Sequence, residues 1–273
     1  MSDLIKSAAE LLGQLRKSKP LVHSITNYVT VNDCANIILA IGASPVMADD
    51  IEEAADITAI SSALVLNIGT LNKRTVESML AAGKRANELG IPVVFDPVGA
   101  GASKLRNETT QTILSEVKVS VIRGNMSELC FVAGLGSNTK GVDAADEDIS
   151  SGNARKIASI AANRYNCTAA VTGAIDIITD GKRIAAVSNG HRLLSDVTGT
   201  GCMTTALVGA FCGAGNDTFV AAAAGIAAMG IAGEIAYEKA GESGTGSFHI
   251  AIIDAVSRLD EKILRERARL NEI

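Results

Sequence analysis

Four polar residues stand at or just after the ends of short apolar runs of the chain: Asp96, Arg123, Glu128 and Thr172. If these runs are parallel strands, their carboxyl ends meet at one edge of a sheet, and the four side chains share a rim. Two carboxylates suit Mg²⁺, which takes few protein oxygens and keeps sites for water and phosphate. Arg123 and the hydroxyl of Thr172 can contact phosphate oxygens. The set predicts phosphoryl transfer from a nucleotide, a reaction in which positioning and charge neutralisation do most of the catalysis.

A glycine turn lies further along the chain, where Gly199, Thr200 and Gly201 lead directly into an apolar helix whose first turn contains Cys202. Backbone N–H groups at the start of a helix, loosened by glycines, form an anion-binding site. We therefore interpret residues 199–201 as a turn that binds phosphate. The helix dipole favours the thiolate form of a cysteine placed on it. Cys202 has two interpretations, a small packing residue or a thiol that faces a bound anion.

Each of these residues also has a purely structural interpretation. Asp96 before Pro97 can initiate a turn, Glu128 can occupy the first turn of a helix because of the dipole, and Thr172 can belong to a hairpin. The histidines have no ligand spacing and the remaining cysteines fall on apolar faces, so we assign neither group to a site. These residues are His23, His191, His249, Cys34, Cys130, Cys167 and Cys212.

An alternation of strands and helices positions these residues. Continuous apolar, β-branched runs predict buried strands at Leu21–Ile25, Ala63–Ile68, Ile91–Phe95, Val117–Ile122 and Ala169–Val171. Helices are predicted between them, near Val31–Ile41, Ile51–Ile60, Arg74–Glu88, Thr109–Val117 and Ala154–Arg164. Such alternation predicts a parallel sheet with helices on both faces. The chain is 47% hydrophobic but only 3% aromatic, so small aliphatic residues must build the core.

The two ends of the alternating region have patterns of their own. The N-terminal segment predicts an amphipathic helix that is capped by Ser2 and lacks the features of a signal peptide. The runs Ile175–Thr179 and Arg183–Ser188, joined by Asp180-Gly181, predict a hairpin at the edge of the sheet.

The C-terminal third of the chain predicts helices. The apolar region Met203–Ala232 is interrupted at residues 212–217, so we expect two buried helices, each too short to span a membrane. A charged helix is predicted from about Ile250 to Leu270. The chain contains no internal repeat and no shift in composition that would mark a linker, so residues 1–273 are predicted to form a single domain.

The overall charge narrows the class of partner. A net charge of −5, with both signs scattered along the chain, argues against nucleic acid and against an anionic membrane. We expect small-molecule substrates instead. The five cysteines are odd in number and widely spaced, which predicts reduced thiols and a cytoplasmic protein.

Six stretches of the sequence, taken together and in order, resemble a known family more specifically than any one of them does alone. They are HSITNYVTVNDCANIILAIGASPVMADDIEEA, LNIGTL, DPVGAGAS, IRGNMSEL, VTG and DVTGTGCMTTALVGAF. Together they resemble the hydroxyethylthiazole kinases of the ribokinase-like superfamily, from about His23 to the last helix. The resemblance implies a three-layer αβα fold with a mostly parallel central sheet. It also implies phosphorylation of the hydroxyl of 4-methyl-5-(2-hydroxyethyl)thiazole by ATP and Mg²⁺ in thiamin salvage.

The resemblance assigns a thiazole pocket to the N-terminal motifs. The family's substrate contacts fall on Asn27, Val29 and Met47, with Gly199 of the glycine turn beside the substrate. The family forms homotrimers whose active sites lie between subunits, so residues 27–47 would serve a neighbour's nucleotide site. A polarizable methionine packs well against a flat heteroaromatic ring, which is compatible with this assignment.

The resemblance also places the nucleotide and the metal. Arg123 and Thr172 match the family's ATP contacts, whereas Asp96 and Glu128 match positions near its magnesium.

One position departs from the wider superfamily. That superfamily usually has an aspartate as catalytic base after its last glycine, and this chain has Cys202 there, as some hydroxyethylthiazole kinases do. The thiol is then either a modest general base or a neighbour in a reaction that needs little deprotonation.

Three alternative functions remain open from the sequence. The chain could phosphorylate another small alcohol, such as a hydroxymethylpyrimidine, or it could be a nucleotide-dependent dehydratase. It could also be a catalytically weak protein that senses nucleotide or thiazole. The motifs NYVTVND and SPVMADD speak against the first two, and the carboxylates Asp96 and Glu128 speak against the third, because a sensor needs no magnesium ligands.

Overall fold

The centre of the molecule is one sheet of nine strands, in a computed structural model that describes residues 2–135 and 147–273. In chain order the strands are β1 (Leu21–Ile25), β2 (Ser44–Val46), β3 (Ala63–Asn67), β4 (Val93–Asp96), β5 (Val121–Asn125), β6 (Thr168–Thr172), β7 (Asp176–Thr179), β8 (Ile184–Val187) and β9 (Leu270–Glu272). Their spatial order is β2-β1-β3-β4-β5-β6-β7-β8-β9. The strands from β2 to β6 pair in parallel, and β7, β8 and β9 pair antiparallel.

Helices cover both faces of this sheet. They are α1 (Asp3–Ser18), α2 (Val31–Ile41), α3 (Ala54–Ala59), α4 (Lys73–Leu89), α5 (Lys104–Glu116), α6 (Met126–Val132), α7 (Glu147–Tyr165), α8 (Thr200–Ala214), α9 (Thr218–Ala240), α10 (Thr245–Arg258) and α11 (Glu261–Arg267). One layer contains α1, α2 and α8 to α11, and the other contains α3 to α7. The fold is therefore the expected three-layer αβα arrangement with a mostly parallel sheet.

The strands read as continuous apolar runs because both of their faces are buried. In β3, Val65 belongs to the core cluster under α8, whereas Leu64 and Leu66 belong to the cluster on the opposite face. All three side chains are at most 2% exposed. Small residues let the helices approach closely, since a Cβ at Gly209 of α8 would collide with Val65. The apolar runs thus follow from a sheet covered on both sides.

The direction in which the chain builds the sheet reverses next to β1. The chain passes from β1 through α2 to β2 on one side, and then through α3 to β3 on the other side of β1. Ligand crevices in open α/β sheets form at the carboxyl ends of strands where the order reverses. Asn27 follows β1 and Asn67 ends β3, so both residues lie at this switch point.

The predicted elements are confirmed in large part. The predicted bounds of β1 and α2 match the structure, the hairpin of β7 and β8 forms, and Ser2 caps α1 by accepting a hydrogen bond from Ile5 N. The prediction of a single domain covers residues 136–146, which lie outside the described residues, and it stays a prediction.

Three expectations about the elements were wrong, and one strand was not predicted. The predicted C-terminal helix is two helices, because Asp260 caps α11 by accepting from Ile263 N at 2.7 Å. The chain then forms β9, so the hairpin is not at the edge of the sheet. The short parallel strand β2 was not predicted, whereas α6 forms where the structural interpretation of Glu128 placed the first turn of a helix. Finally, the second apolar helix is longer than expected. The segment Thr218–Ser243 is long and apolar enough to cross a membrane, but 89% of its most apolar window is buried within the fold.

Candidate active site

Asp96 is a buried carboxylate with one oxygen left unpartnered. It ends β4, is 1% exposed, and its Oδ2 accepts hydrogen bonds from Asn67 Nδ2 at 2.9 Å and Thr205 Oγ1 at 2.7 Å. Arg123 Nη1 lies 4.0 Å from the same oxygen. Burial raises the pKa of Asp96 to about 7, an effect that Arg123 opposes. Oδ1 is buried without a hydrogen-bond partner, and a cation would satisfy it.

Glu128 occupies the first turn of α6, and both of its oxygens bind backbone amides. Oε2 accepts from Asn125 N at 2.8 Å, while Asn125 Oδ1 accepts from Glu128 N at 3.0 Å, which forms a capping box. Oε1 accepts from Gly99 N at 2.9 Å. The negative charge of Glu128 adds to the rise in the pKa of Asp96. The carboxylate therefore ties the loop after β4 to the end of β5, close to Asp96.

Asp96 and Glu128 are the residues that could hold a metal ion here. The described residues contain no group of three or more His, Cys, Asp and Glu side chains that could hold an ion. Mg²⁺ is commonly bound by one or two carboxylates, with water and phosphate oxygens completing its shell. The donor set of Asp96 and Glu128 fits this ion, because the unpartnered Oδ1 of Asp96 is free to bind it.

Two asparagine side chains connect Asp96 to Cys202. Asn27 Nδ2 donates to Cys202 Sγ at 3.2 Å and to Asn67 Oδ1 at 3.0 Å. Asn67 Nδ2 donates to Cys202 Sγ at 3.3 Å and to Asp96 Oδ2. The direction of both amides is fixed by the backbone, since Asn67 Oδ1 accepts from Gly69 N and Asn27 Oδ1 accepts from Thr30 N. The sulfur thus faces two N–H donors at the switch point of the sheet.

The expectation that the helix start favours the thiolate of Cys202 was wrong. Burial raises the pKa of Cys202 above its usual value and the nearby Asp96 raises it further, whereas hydrogen bonds from Thr30, Asn27 and Asn67 oppose this. Burial has this effect because the charged form of the sulfur loses its hydration. Cys202 is consequently a thiol, not a thiolate, at neutral pH.

The glycine turn forms the N-terminus of α8, as expected. Gly199 precedes the helix with φ of 88°, a left-handed conformation that favours glycine, and it packs against Thr30. A Cβ at Gly201 would lie 2.9 Å from Arg123 Nη1, so only glycine lets the guanidinium approach the turn. The hydroxyl of Thr200 donates to Leu194 O at 2.8 Å. The turn therefore offers its backbone N–H groups beside Arg123, while the Thr200 side chain secures the preceding segment.

A pocket of about 560 Å³ opens beside the glycine turn, within the size range of small-molecule sites. Arg123, Thr172 and Gly201 line one part of it, and Met229 lines another together with further residues of α9. Thr172 Oγ1 donates to Gly124 O at 3.2 Å. The predicted ATP contacts are thus gathered at one polar end of a partly apolar pocket.

A carboxylate that the sequence analysis did not assign lines the same pocket. Asp176 Oδ1 accepts from Gly173 N at 2.9 Å, and burial raises the pKa of this aspartate to about 6.

The three side chains that were predicted to contact the thiazole have different surroundings in the structure. Asn27 is 3% exposed and lies against Cys202. Val29 is 56% exposed, and Met47 is half-buried, packed against the core cluster under α8. Within the described residues, the lining of the 560 Å³ pocket includes none of these three side chains. The structure therefore does not bring the three predicted thiazole contacts together in that pocket.

Two connecting residues, Asn67 and Thr205, were missed by the sequence analysis. Asn67 ends an apolar run as Asp96 does, and this strand-end position was the signal available. Thr205 lies inside the apolar helix α8, where a threonine has no sequence feature that distinguishes it from a packing residue.

Comparisons with known proteins find relatives over nearly the whole chain. Residues 12–262 match the model of the hydroxyethylthiazole kinase family. The chain is 66% identical over 273 residues to a hydroxyethylthiazole kinase of Ruminiclostridium cellulolyticum, with all of both chains covered. The structure of a hydroxyethylthiazole kinase protein from Pyrococcus horikoshii OT3 is similar with a TM-score of 0.90 at 43% identity, covering 98% of this chain and 99% of that one.

The fold extends to a more distant group of kinases. A pyridoxal kinase from Staphylococcus aureus in complex with ADP has a TM-score of 0.60 at 16% identity, covering 80% of this chain and 88% of that one. It shares the fold with this chain.

Proposed function

This chain belongs to the hydroxyethylthiazole kinase family and is a kinase, and on that premise we propose how its site transfers a phosphoryl group. The donor is ATP, and the acceptor is the hydroxyl of 4-methyl-5-(2-hydroxyethyl)thiazole, which places the reaction in thiamin salvage. The observation that carries the proposal is the position of Arg123. Its guanidinium reaches both the carboxylate of Asp96 and the glycine turn at Gly201. Phosphates bound to Arg123 would therefore lie between this carboxylate and the turn.

ATP binds in the 560 Å³ pocket with its phosphates toward Arg123, Thr172 and residues 199–201. The planar guanidinium of Arg123 suits phosphate oxygens. The N–H groups at the start of α8 add a partial positive charge at the same end. The apolar wall at Met229 suits the nucleoside.

Asp96 and Glu128 hold Mg²⁺, with Asp96 as the principal ligand. The unpartnered Oδ1 of Asp96 supports this assignment. Glu128 uses both oxygens for backbone amides, so its contribution is mainly its negative charge and the anchoring of the loop after Asp96. When bound, the ion neutralises and orients the phosphate oxygens.

The acceptor lies at Asn27 and Gly199, with its hydroxyl toward Cys202. Since the pKa of Cys202 is raised, the thiol keeps its proton and is a neighbour of the reacting hydroxyl, not its base. A loose transition state requires little deprotonation before the phosphoryl group moves. The N–H groups of Asn27 and Asn67, fixed by the backbone, stabilise negative charge at this point.

The working enzyme is a homotrimer in the cytoplasm, with Val29 and Met47 completing the site of a neighbouring subunit. Exposed apolar side chains just before α2, on α2 and on α10, which packs against α2, support this: Tyr28 is 79% exposed, Val29 56%, Leu39 57% and Ile250 65%. Apolar side chains clustered on a surface favour association. No disulfide bond joins any of the five cysteines, all of which lie in the described residues, and a reducing compartment would keep them so.

The test is ADP release by the purified protein with Mg-ATP. Three reactions are compared: the hydroxyethylthiazole, a hydroxymethylpyrimidine, and no acceptor. We expect turnover with the thiazole alone. Turnover with the pyrimidine would indicate another small-alcohol kinase, and ATP binding without turnover would indicate a sensor.

A further inference from the structure

Arg106, in the first turns of α5, binds three backbone carbonyls that belong to two different loops of the site. Nη1 donates to Ile68 O and to Val98 O, both at 2.6 Å, and Nη2 donates to Gly69 O at 2.8 Å. We propose that Arg106 is a positioning residue that sets the acceptor side of the active site. The proposal rests on the function proposed above, because it concerns how the acceptor is placed for phosphoryl transfer.

The first loop follows β3 and supports the asparagine pair. Gly69 lies so close to Asn27 that a Cβ on it would be 2.8 Å from Asn27 Nδ2. Gly69 N also donates to Asn67 Oδ1, the bond that turns the N–H donors of Asn67 toward Cys202 and Asp96. By holding the carbonyls of Ile68 and Gly69, Arg106 fixes the backbone that aims both amides.

The second loop follows β4 and begins at Asp96. Arg106 holds Val98 O from one side, and Glu128 holds Gly99 N from the other. Gly99 has a φ of 73° and packs on the Arg106 side chain, where a Cβ would be 3.0 Å from Cδ. The backbone that carries Asp96 is therefore held between a guanidinium and a carboxylate.

Only an arginine can make this set of bonds. A guanidinium presents several N–H donors in one rigid plane and keeps its charge at any accessible pH. A lysine has a single ammonium at the end of a flexible chain, so it cannot reach the three carbonyls in the same geometry. Loss of the guanidinium leaves the Ile68, Val98 and Gly69 carbonyls without this donor and lets the two loops move relative to each other.

The position of Arg106 predicts an asymmetric effect on the two substrates. Among the described residues it is not part of the lining of the nucleotide pocket, which comes from β5, β6, the turn after β6, the start of β7, residues 188–195, α8 and α9. The residues that it supports, Asn27, Asn67 and Asp96, lie on the acceptor and metal side. Substitution should therefore impair kcat and the KM for the thiazole, with the KM for ATP unchanged.

The experiment compares Arg106→Lys and Arg106→Ala with Arg85→Ala, which removes an exposed arginine paired with Glu88. Steady-state kinetics are measured with each substrate varied at saturation of the other. For both Arg106 variants we expect a fall of about 10- to 100-fold in kcat/KM for the thiazole, as misplacement of reacting groups by about 1 Å produces. Added guanidinium ion at millimolar concentration should restore part of the activity of Arg106→Ala, whereas ammonium should not.

The possible results separate the explanations. Equal losses for ATP and thiazole, or no rescue by guanidinium in a variant with native circular dichroism and thermal melting, would overturn the positioning role. If Arg106→Ala fails to fold, the kinetics of Arg106→Lys decide between the outcomes. If the native protein itself has no turnover with the thiazole, the proposed function fails, and this inference fails with it for that separate reason.

Discussion

Replacement of Asp96 by asparagine should stabilise the metal-free protein while it removes activity. The carboxylate is buried with its Oδ1 unpartnered, and burial raises its pKa from 3.8 to about 7. Asparagine keeps the shape of the side chain, and its oxygen can still accept the bonds from Asn67 and Thr205. The substitution removes a buried negative charge whose remaining partner, Arg123, is 4.0 Å away.

The magnitude follows from the two pKa values. Below pH 3.8 the carboxyl is protonated in both the folded and the unfolded protein, so it has no electrostatic cost. Between pH 3.8 and about 7 the unfolded state ionises while the folded state holds its proton, and the free energy of unfolding falls. The difference between the two values, at about 1.4 kcal/mol for each unit of pH, corresponds to a loss of about 4 kcal/mol that is complete above pH 7.

Urea denaturation from pH 4 to pH 8, in EDTA and at one protein concentration, measures this effect. The native protein should lose about 4 kcal/mol relative to Asp96→Asn across this range, because other titrating groups such as Asp176 are common to both proteins. Added Mg²⁺ should stabilise the native protein and leave the variant nearly unchanged. Parallel pH curves for the two proteins would refute the reasoning, because they would mean that Asp96 is ionised at its usual pKa.

Three further predictions concern the rest of the site. Cys202→Ala should lower kcat without abolishing it, and Cys202→Asp should be at least as active as the native enzyme. ADP release measures both rates. Complete loss of activity in the alanine variant, with ATP binding intact, would mean that the sulfur is essential. Arg123→Lys should raise the KM for ATP about tenfold or more, because an ammonium cannot replace a planar guanidinium on phosphate, and an unchanged KM would move the phosphates elsewhere. Leu39→Glu should dissociate the proposed trimer in analytical ultracentrifugation, whereas Leu89→Glu, at another exposed leucine, should not. A native protein that is monomeric would contradict the proposed trimer.

The sequence predicted the buried centre of the fold better than its margins. Strands such as β1 and β3 are long apolar runs because helices cover both of their faces, so burial itself leaves the signal. The margins lack this signal. β2 has three residues, one of them Pro45, and β9 follows the charged segment of α11. The break before α11 depends on the cap made by Asp260, one side chain within a pattern that otherwise continues as helix.

For the site, the sequence predicted which residues lie near each other at the edge of the sheet. It did not predict the environment of each side chain. Asp96 ends β4 and Arg123 lies within the neighbouring parallel strand β5, so their approach to 4.0 Å follows from a parallel sheet. The raised pKa of Cys202 depends on how much water the surrounding residues exclude, and no local pattern encodes that quantity. Asn67 was missed because its role consists of contacts with residues 40 and 135 positions away.

The asparagine pair has a consequence for how the enzyme responds to its surroundings. The amides of Thr30 and Gly69 fix which end of each side chain points toward Cys202, and a carboxamide neither gains nor loses a proton in the physiological range. The donors at this point are therefore permanent, and acidification of the cell cannot switch them off as it would alter a histidine. Modulation by pH at this point has to come from titratable neighbours such as Asp96 and Cys202, because the main chain fixes the direction of the amide donors.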